Sequence, residues 1–145
     1  MKPKIIKGDR IYDNRGSLRF SNDLKFKNIK RFYIVHNYNK NFIRAWHGHL
    51  KEEKYITCIK GTFQVSAVKI NHHKNPSRTN KVYNYFLNSD DNNFLYIPKK
   101  YANGSMSLQS NSELLIFSTS TLQESIKDDI RYASDYWNPW KIIHR

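Results

Sequence analysis

Short runs of β-branched and aromatic residues recur along this chain between turn-forming residues, at 29–35, 42–46, 54–59, 62–70, 82–87, 94–97, 105–108 and 114–118. Regularly spaced short strands of this kind predict an all-β fold, an antiparallel sandwich or barrel. Turns are expected at Asn14-Arg15-Gly16, Lys60-Gly61, residues 88–93 and Asn103-Gly104, and the polar stretch 71–80 reads as a loop. No long helical period is present. The stretch 122–132 has room for a helical turn or two, and Trp137-Asn138-Pro139-Trp140 ends any helix before it.

A chain of 145 residues reads as one domain over 1–145, long enough to bury a core without staples. Its only cysteine, Cys58, sits inside an apolar run and is read as a small buried hydrophobe. No disulfide framework follows, which fits a reducing compartment and a cytoplasmic location. No stretch of about 18 apolar residues marks a membrane span, and the N-terminus lacks the apolar run of a signal peptide. The net charge of +13 invites a polyanion partner, yet the lysines are scattered. No zinc-finger spacing, basic helix or RNA-binding aromatic signature accompanies them, so nucleic acid is not the expected partner. A local cationic pocket for a small diphosphate is the simpler use of that charge.

The stretch Arg44-Ala45-Trp46-His47-Gly48-His49 carries the chemistry. Alternate strand residues share a face, so His47 and His49 point together while Trp46 and Gly48 face the other way. Two adjacent imidazoles can share proton transfer near neutral pH or hold a metal. His36, His72, His73 and His144 lie in loop-like or terminal sequence and are read as solvated.

Over nearly its whole length the chain resembles the small cupin-fold enzymes that act on nucleotide-linked 4-keto-6-deoxy sugars. Asp13-Asn14-Arg15-Gly16, the run from Ile29 to Ile34, and the two-histidine motif resemble the sugar 3,4-ketoisomerases. The stretch Ile97-Pro98-Lys99-Lys100-Tyr101-Ala102-Asn103-Gly104, with Asp128-Asp129-Ile130-Arg131-Tyr132 and Trp137, is more similar to dTDP-4-dehydrorhamnose 3,5-epimerase. The resemblance implies an antiparallel cupin barrel that needs no cofactor. A hydrogen beside a ketone is acidified because its carbanion delocalises into an enolate, so a base at carbon and an acid or electrophile at oxygen suffice.

Carried over residue by residue, the resemblance implies that His47 is the base and that Asp135 or Asp129 fixes its tautomer. Lys54 stabilises the enolate oxygen. His49 matches the second, proton-shuttling histidine of the ketoisomerases. Arg15 and Arg44 bind the diphosphate or shape the sugar pocket, and Tyr101 and Asn103 lie at the pocket lip. The epimerase tyrosine acid is missing, since its region reads Thr119-Ser120-Thr121-Leu122. Tyr33, Tyr55, Tyr101 and Tyr132 are substitutes, with Tyr101 preferred and Tyr33 a candidate substrate contact. The resemblance further implies a homodimer in which the region around Arg15 reaches the neighbouring pocket.

The expected activity is epimerisation at carbon 3, carbon 5 or both of a nucleoside diphosphate 4-keto sugar, within deoxysugar or surface polysaccharide synthesis. Migration of the ketone is the alternative reaction. Two further classes remain open at this level. In a metal-dependent cupin, His47, His49 and Glu53 would be the ligands, although the spacing to Gly61 is one residue long and Asn103 stands where another histidine belongs. A non-catalytic sugar-binding cupin would keep the arginines without needing the paired histidines.

Overall fold

Alternation of inward and outward side chains organises the structure, a computed structural model that describes residues 1–140. His144 and the last residues of the expected domain lie outside the described part. The strands are β1 (Lys4–Ile6), β2 (Asp9–Asp13), β3 (Gly16–Phe20), β4 (Arg31–Asn37), β5 (Ile43–His49) and β6 (Lys54–Lys60). They continue as β7 (Thr62–Lys69), β8 (Val82–Asn88), β9 (Phe94–Ile97), β10 (Tyr101–Ser107), β11 (Ser112–Ser118) and, after the helix α1 (Leu122–Lys127), β12 (Ile130–Arg131). In β11, Leu114 and Ile116 are buried whereas Glu113, Leu115 and Phe117 between them are only half-buried, the period-two pattern of a strand on a core.

Two five-stranded antiparallel sheets form, ordered β1-β9-β6-β11-β4 and β12-β5-β10-β7-β8, and β2 and β3 make a separate hairpin. The core between the sheets draws Ile56, Leu95, Ile97, Leu114 and Ile116 from the first, and Phe63, Val65, Ala67, Leu87 and Tyr101 from the second. Burying each large aliphatic or aromatic side chain contributes roughly 1.5–3 kcal/mol. A second core covers the outer face of β5, β10 and β7. There Trp46, Val68, Ala102 and Met106 pack against Trp137 and Trp140. The Trp46 indole donates to the Trp137 carbonyl at 3.0 Å, so the C-terminal segment locks β5 from behind.

The expected strands are present with shifted ends, and three differences matter. Asn103-Gly104 is not a turn: both residues lie inside β10, where Asn103 pairs with both β5 and β7 and Gly104 pairs with β7 at the irregularity facing β5. Gly104 is required there for close approach, because a Cβ would stand 2.6 Å from the Ala45 Cβ and 3.0 Å from the Trp140 ring. His36 belongs to β4 rather than to a loop, with its Nε2 3.3 Å from the Asn111 side chain. The hairpin β2–β3 was visible only as its Asn14-Arg15-Gly16 turn, because Ile11, Tyr12 and Leu18 are exposed and leave no inward pattern to read. The tight connection at Gly61, with φ of 75°, carries the chain from one sheet to the other as expected of a turn. Among the described residues no helix is long and apolar enough to cross a membrane.

Candidate functional site

A cavity of about 300 Å³ opens between the sheets beside α1. His47 and His49 reach it together from β5, as strand periodicity requires. Arg44 lines it too, although its odd separation from His47 would place it on the opposite face of a regular strand. The register explains this. Asn103 pairs with His47 and Ser105 with Arg44, so three steps on β5 match two on β10, and the resulting bulge turns Arg44 to the histidine face. Arg44 is oriented by its Nε on the Asn37 side chain at 2.7 Å and its Nη2 on the His36 carbonyl at 3.1 Å.

Across the ladders, His47 lies between Asn103 on β10 and Arg131 on β12, and all three line the cavity. Burial pushes the His47 imidazole down to about 4, and the Lys54 and Arg131 charges push the same way against the opposing pull of Asp129. The ring is therefore neutral at physiological pH and able to accept a proton. Lys54 is buried, donates to the Asn103 amide oxygen at 3.3 Å and stands 3.6 Å from Glu52.

His49 is held differently. Its Nδ1 donates to the Asp128 carbonyl at 3.1 Å, and its Nε2 stands 2.9 Å from the Glu52 carboxylate. Burial raises the Glu52 carboxyl, but His49, Lys54 and Ser118 outweigh it and hold the group at about 2. Asp128 also braces the loop that carries Glu52, accepting from the amides of Leu50, Lys51 and Glu52 at 3.0, 2.9 and 3.1 Å.

The remaining expected residues divide. Asp129 lines the cavity, paired with Arg131 at 2.8 Å, and makes no hydrogen bond to His47. Asp135 is exposed and lies outside the lining. Tyr101 is not at a lip: as the first residue of β10 it is swallowed by the core, 6.3 Å from the Tyr83 ring, and burial raises its phenol. Tyr55 packs against Phe26 and Tyr96, and Tyr132 bonds the His73 carbonyl. Of the four tyrosines considered, Tyr33 alone lines the cavity, with Arg31 over its ring at 4.8 Å. Arg15 sits on the exposed hairpin turn, paired with Asp13, and takes no part in this cavity.

Glu53, the carboxylate of the metal alternative, accepts from the Tyr96 hydroxyl and does not line the cavity. Among the described residues no three His, Cys, Asp or Glu side chains are placed to hold a metal. Cys58 is buried, its thiol pushed up to about 11 by burial, in keeping with a core role. Sequence reasoning missed Glu52, Asp128 and Arg131. Glu52 and Asp128 each neighbour a residue that was considered, and Thr121-x-x-Glu124, a capping box, was an available signal for where α1 begins at the cavity mouth.

Residues 1–140 match the family model described as WxcM-like, C-terminal. No match is found among curated proteins. Among solved structures, a variant of the 3,4-ketoisomerase QdtA from Thermoanaerobacterium thermosaccharolyticum, in complex with TDP-4-keto-6-deoxyglucose, is similar with a TM-score of 0.70 and 24% identity, covering 93% of this chain and 91% of that one. The TDP-quinovose 3,4-ketoisomerase WlaRB of Campylobacter jejuni gives 0.69 and 24%, covering 92% and 95%. The dTDP-4-dehydrorhamnose 3,5-epimerase of Bacillus anthracis, with TDP and pyrophosphate bound, gives 0.74 and 16%, covering 98% and 86%. The likeness fixes the fold as cupin-like.

Proposed function

Because the chain belongs to the WxcM-like, C-terminal family, we propose that it is a nucleotide-sugar isomerase that moves the ketone of a nucleoside diphosphate 4-keto-6-deoxy sugar from carbon 4 to carbon 3. The observation that carries this reading is the pair of unlike imidazoles in one cavity: His47, neutral and without a side-chain hydrogen bond among the described residues, beside His49, anchored through Nδ1. The higher identity to the two ketoisomerases than to the epimerase supports it.

In this reading His47 takes the proton from carbon 3, the bonding pair forms the carbon 3 to carbon 4 double bond, and the carbon 4 oxygen takes a proton from His49. The resulting enediol then loses its carbon 3 hydroxyl proton to His49 while His47 returns its proton to carbon 4. Both rings end as they began. Lys54, which lines the cavity, is the candidate ammonium for stabilising charge on the enediol oxygens, and Arg44, Asn103 and Tyr33 are the candidate substrate contacts.

Epimerisation is the second reading, favoured by one observation: Tyr33 enters the cavity from the sheet opposite His47, where an acid for the far face of the sugar belongs. A homodimer fits either reaction, since the exposed Ile11, Tyr12 and Leu18 around Arg15 offer apolar surface for a second copy to cover.

The test is incubation with TDP-4-keto-6-deoxyglucose in deuterated water, followed by NMR. A 3-keto product supports migration. Retention of the 4-ketone with deuterium at carbon 3 or carbon 5 establishes epimerisation instead, and the absence of both a 3-keto product and exchange removes both. His47→Asn should lower turnover to product roughly 100-fold or more, the scale of a general base.

A further inference from the structure

Glu52 has no exposed side-chain surface and lies behind the cavity lining, against His49 and Lys54, and the mechanism above does not use it. One of its oxygens is fixed: the Ser118 hydroxyl donates to Oε1 at 2.6 Å, and the Arg31 guanidinium stands 3.5 Å away. Ser118 is itself held, its oxygen accepting from the Ser120 amide at 3.0 Å. The other oxygen, Oε2, lies between two nitrogens, 2.9 Å from His49 Nε2 and 3.6 Å from Lys54 Nζ. The carboxylate thus holds its charge against the Nε2 side of the ring.

The opposite side of the ring sets the tautomer. A carbonyl can only accept, so the Asp128 oxygen requires a proton on Nδ1 and makes Nε2 the working nitrogen. A bare Nε2 lone pair would then face an immobile carboxylate in a low-dielectric wall, which is unfavourable; a protonated Nε2 is attracted to it.

We propose that Glu52 is a positioning residue that makes His49 the proton-donating ring of the site and so leaves His47 as its proton acceptor. This rests on the proton-transfer reading of the cavity and deepens it by dividing the roles of two histidines that the sequence presents as equivalents. The groups facing His49 support the division. Asp128 adds a second carboxylate 3.9 Å from Nδ1, Tyr101 opposite on β10 is buried and uncharged, and Lys54 and His47 supply the opposing influence. Lys54 is partly spent on Glu52 and on the Asn103 amide oxygen.

The experiment is 15N NMR of histidine-labelled protein without substrate, as a function of pH, with the rate profile measured alongside. In the wild type at neutral pH both His49 nitrogens should carry protons, while His47 shows a neutral ring. In Glu52→Gln the His49 ring should be found neutral at the same pH, protonated on Nδ1. The alkaline limb of kcat should move to lower pH and kcat should fall about 100-fold, the lower end of a positioned donor's contribution, with KM little changed. The acid limb, set by His47, should stay in place.

A neutral His49 in the wild type at neutral pH overturns the proposal, as does a Glu52→Gln ring that titrates like the wild type. Should Glu52→Gln fail to fold, the wild-type spectrum decides alone, and Ser118→Ala should move the His49 titration in the same direction by a smaller step. A protein with a protonated His49 that neither forms a 3-keto product from, nor exchanges a proton of, any 4-keto sugar would refute the proposed reaction while upholding the Glu52 pairing.

Discussion

Arg131 stands directly opposite His47 across the ladder of β12 and β5, so that a guanidinium borders the imidazole on one side while the Asn103 amide borders it on the other. The two-residue strand β12 thereby has an electrostatic consequence. Its cation joins burial and Lys54 in keeping the ring unprotonated, which is the state a proton acceptor needs.

Activity should therefore persist well below the ordinary histidine range on the acid side. Protonation of His47 is expected near pH 4 in the free enzyme rather than near 6.5, and Arg131→Gln should move it upward. The sign for stability follows. Between those two values the unfolded chain binds the proton that the folded chain refuses, so this ring contributes stability above pH 6.5 that is lost as pH falls toward 4. NMR titration of the His47 ring in wild type and Arg131→Gln is the check, and a wild-type midpoint near 6.5 would contradict the account.

Asp129 and Asp135 are expected to separate cleanly. Asp129 lines the cavity and is the one acidic residue that pulls the His47 ring toward protonation, whereas Asp135 is exposed outside it. Asp129→Asn should make His47 a weaker base and slow substrate exchange several-fold, shifting its acid limb further down. Asp135→Asn should behave as wild type. Exchange rates of the two variants in deuterated water decide, and a severe loss in Asp135→Asn alone would restore it as the supporting carboxylate.

Strand periodicity made the shared face of His47 and His49 legible, and the apolar runs placed most of the sheet. What escaped depends on contacts between segments distant in the chain. Asn103-Gly104 has the composition of a turn, but its glycine is demanded by Ala45 and Trp140, which only the folded second sheet brings near. The bulge that turns Arg44 into the cavity is a property of register between β5 and β10 and leaves no mark in either segment alone. Glu53 drew attention through its spacing from the histidines, yet the loop geometry set by Asp128 delivers its neighbour Glu52 to the site. The four tyrosines could not be ranked by sequence because their surroundings come from both sheets, and the structure places only Tyr33 on the cavity.

Arg44 and Arg15 should differ in how they affect binding. Arg44 lines the cavity of its own chain, oriented through Asn37 and His36. Arg44→Ala should weaken calorimetric binding of free TDP by about 1.5–3 kcal/mol if it makes charged hydrogen bonds to the diphosphate. Arg15 is exposed on its hairpin, outside the cavity of its own chain, so a role in binding requires the proposed homodimer to bring it to a second copy's cavity. Mixing Arg15→Ala with His47→Asn should then restore part of the activity that each lacks, because a mixed dimer contains one cavity with both residues intact. Absence of complementation, with TDP affinity unchanged in Arg15→Ala, would remove Arg15 from the site.

Gly104→Ala tests the packing that holds β5 in place. The added methyl would meet the Ala45 Cβ at 2.6 Å and the Trp140 ring at 3.0 Å, and neither neighbour is the free end of a flexible chain. Relief requires β5 or the tryptophan lid to shift, at a cost of about 1–3 kcal/mol, the usual range for overpacking a filled core. Denaturant titration should show a lower midpoint with an unchanged slope. Because Ala45 lies within the bulge that separates Arg44 from His47, the same shift should also lower exchange activity in the folded variant. Wild-type stability would mean that the approach of β10 to β5 is looser than these contacts require.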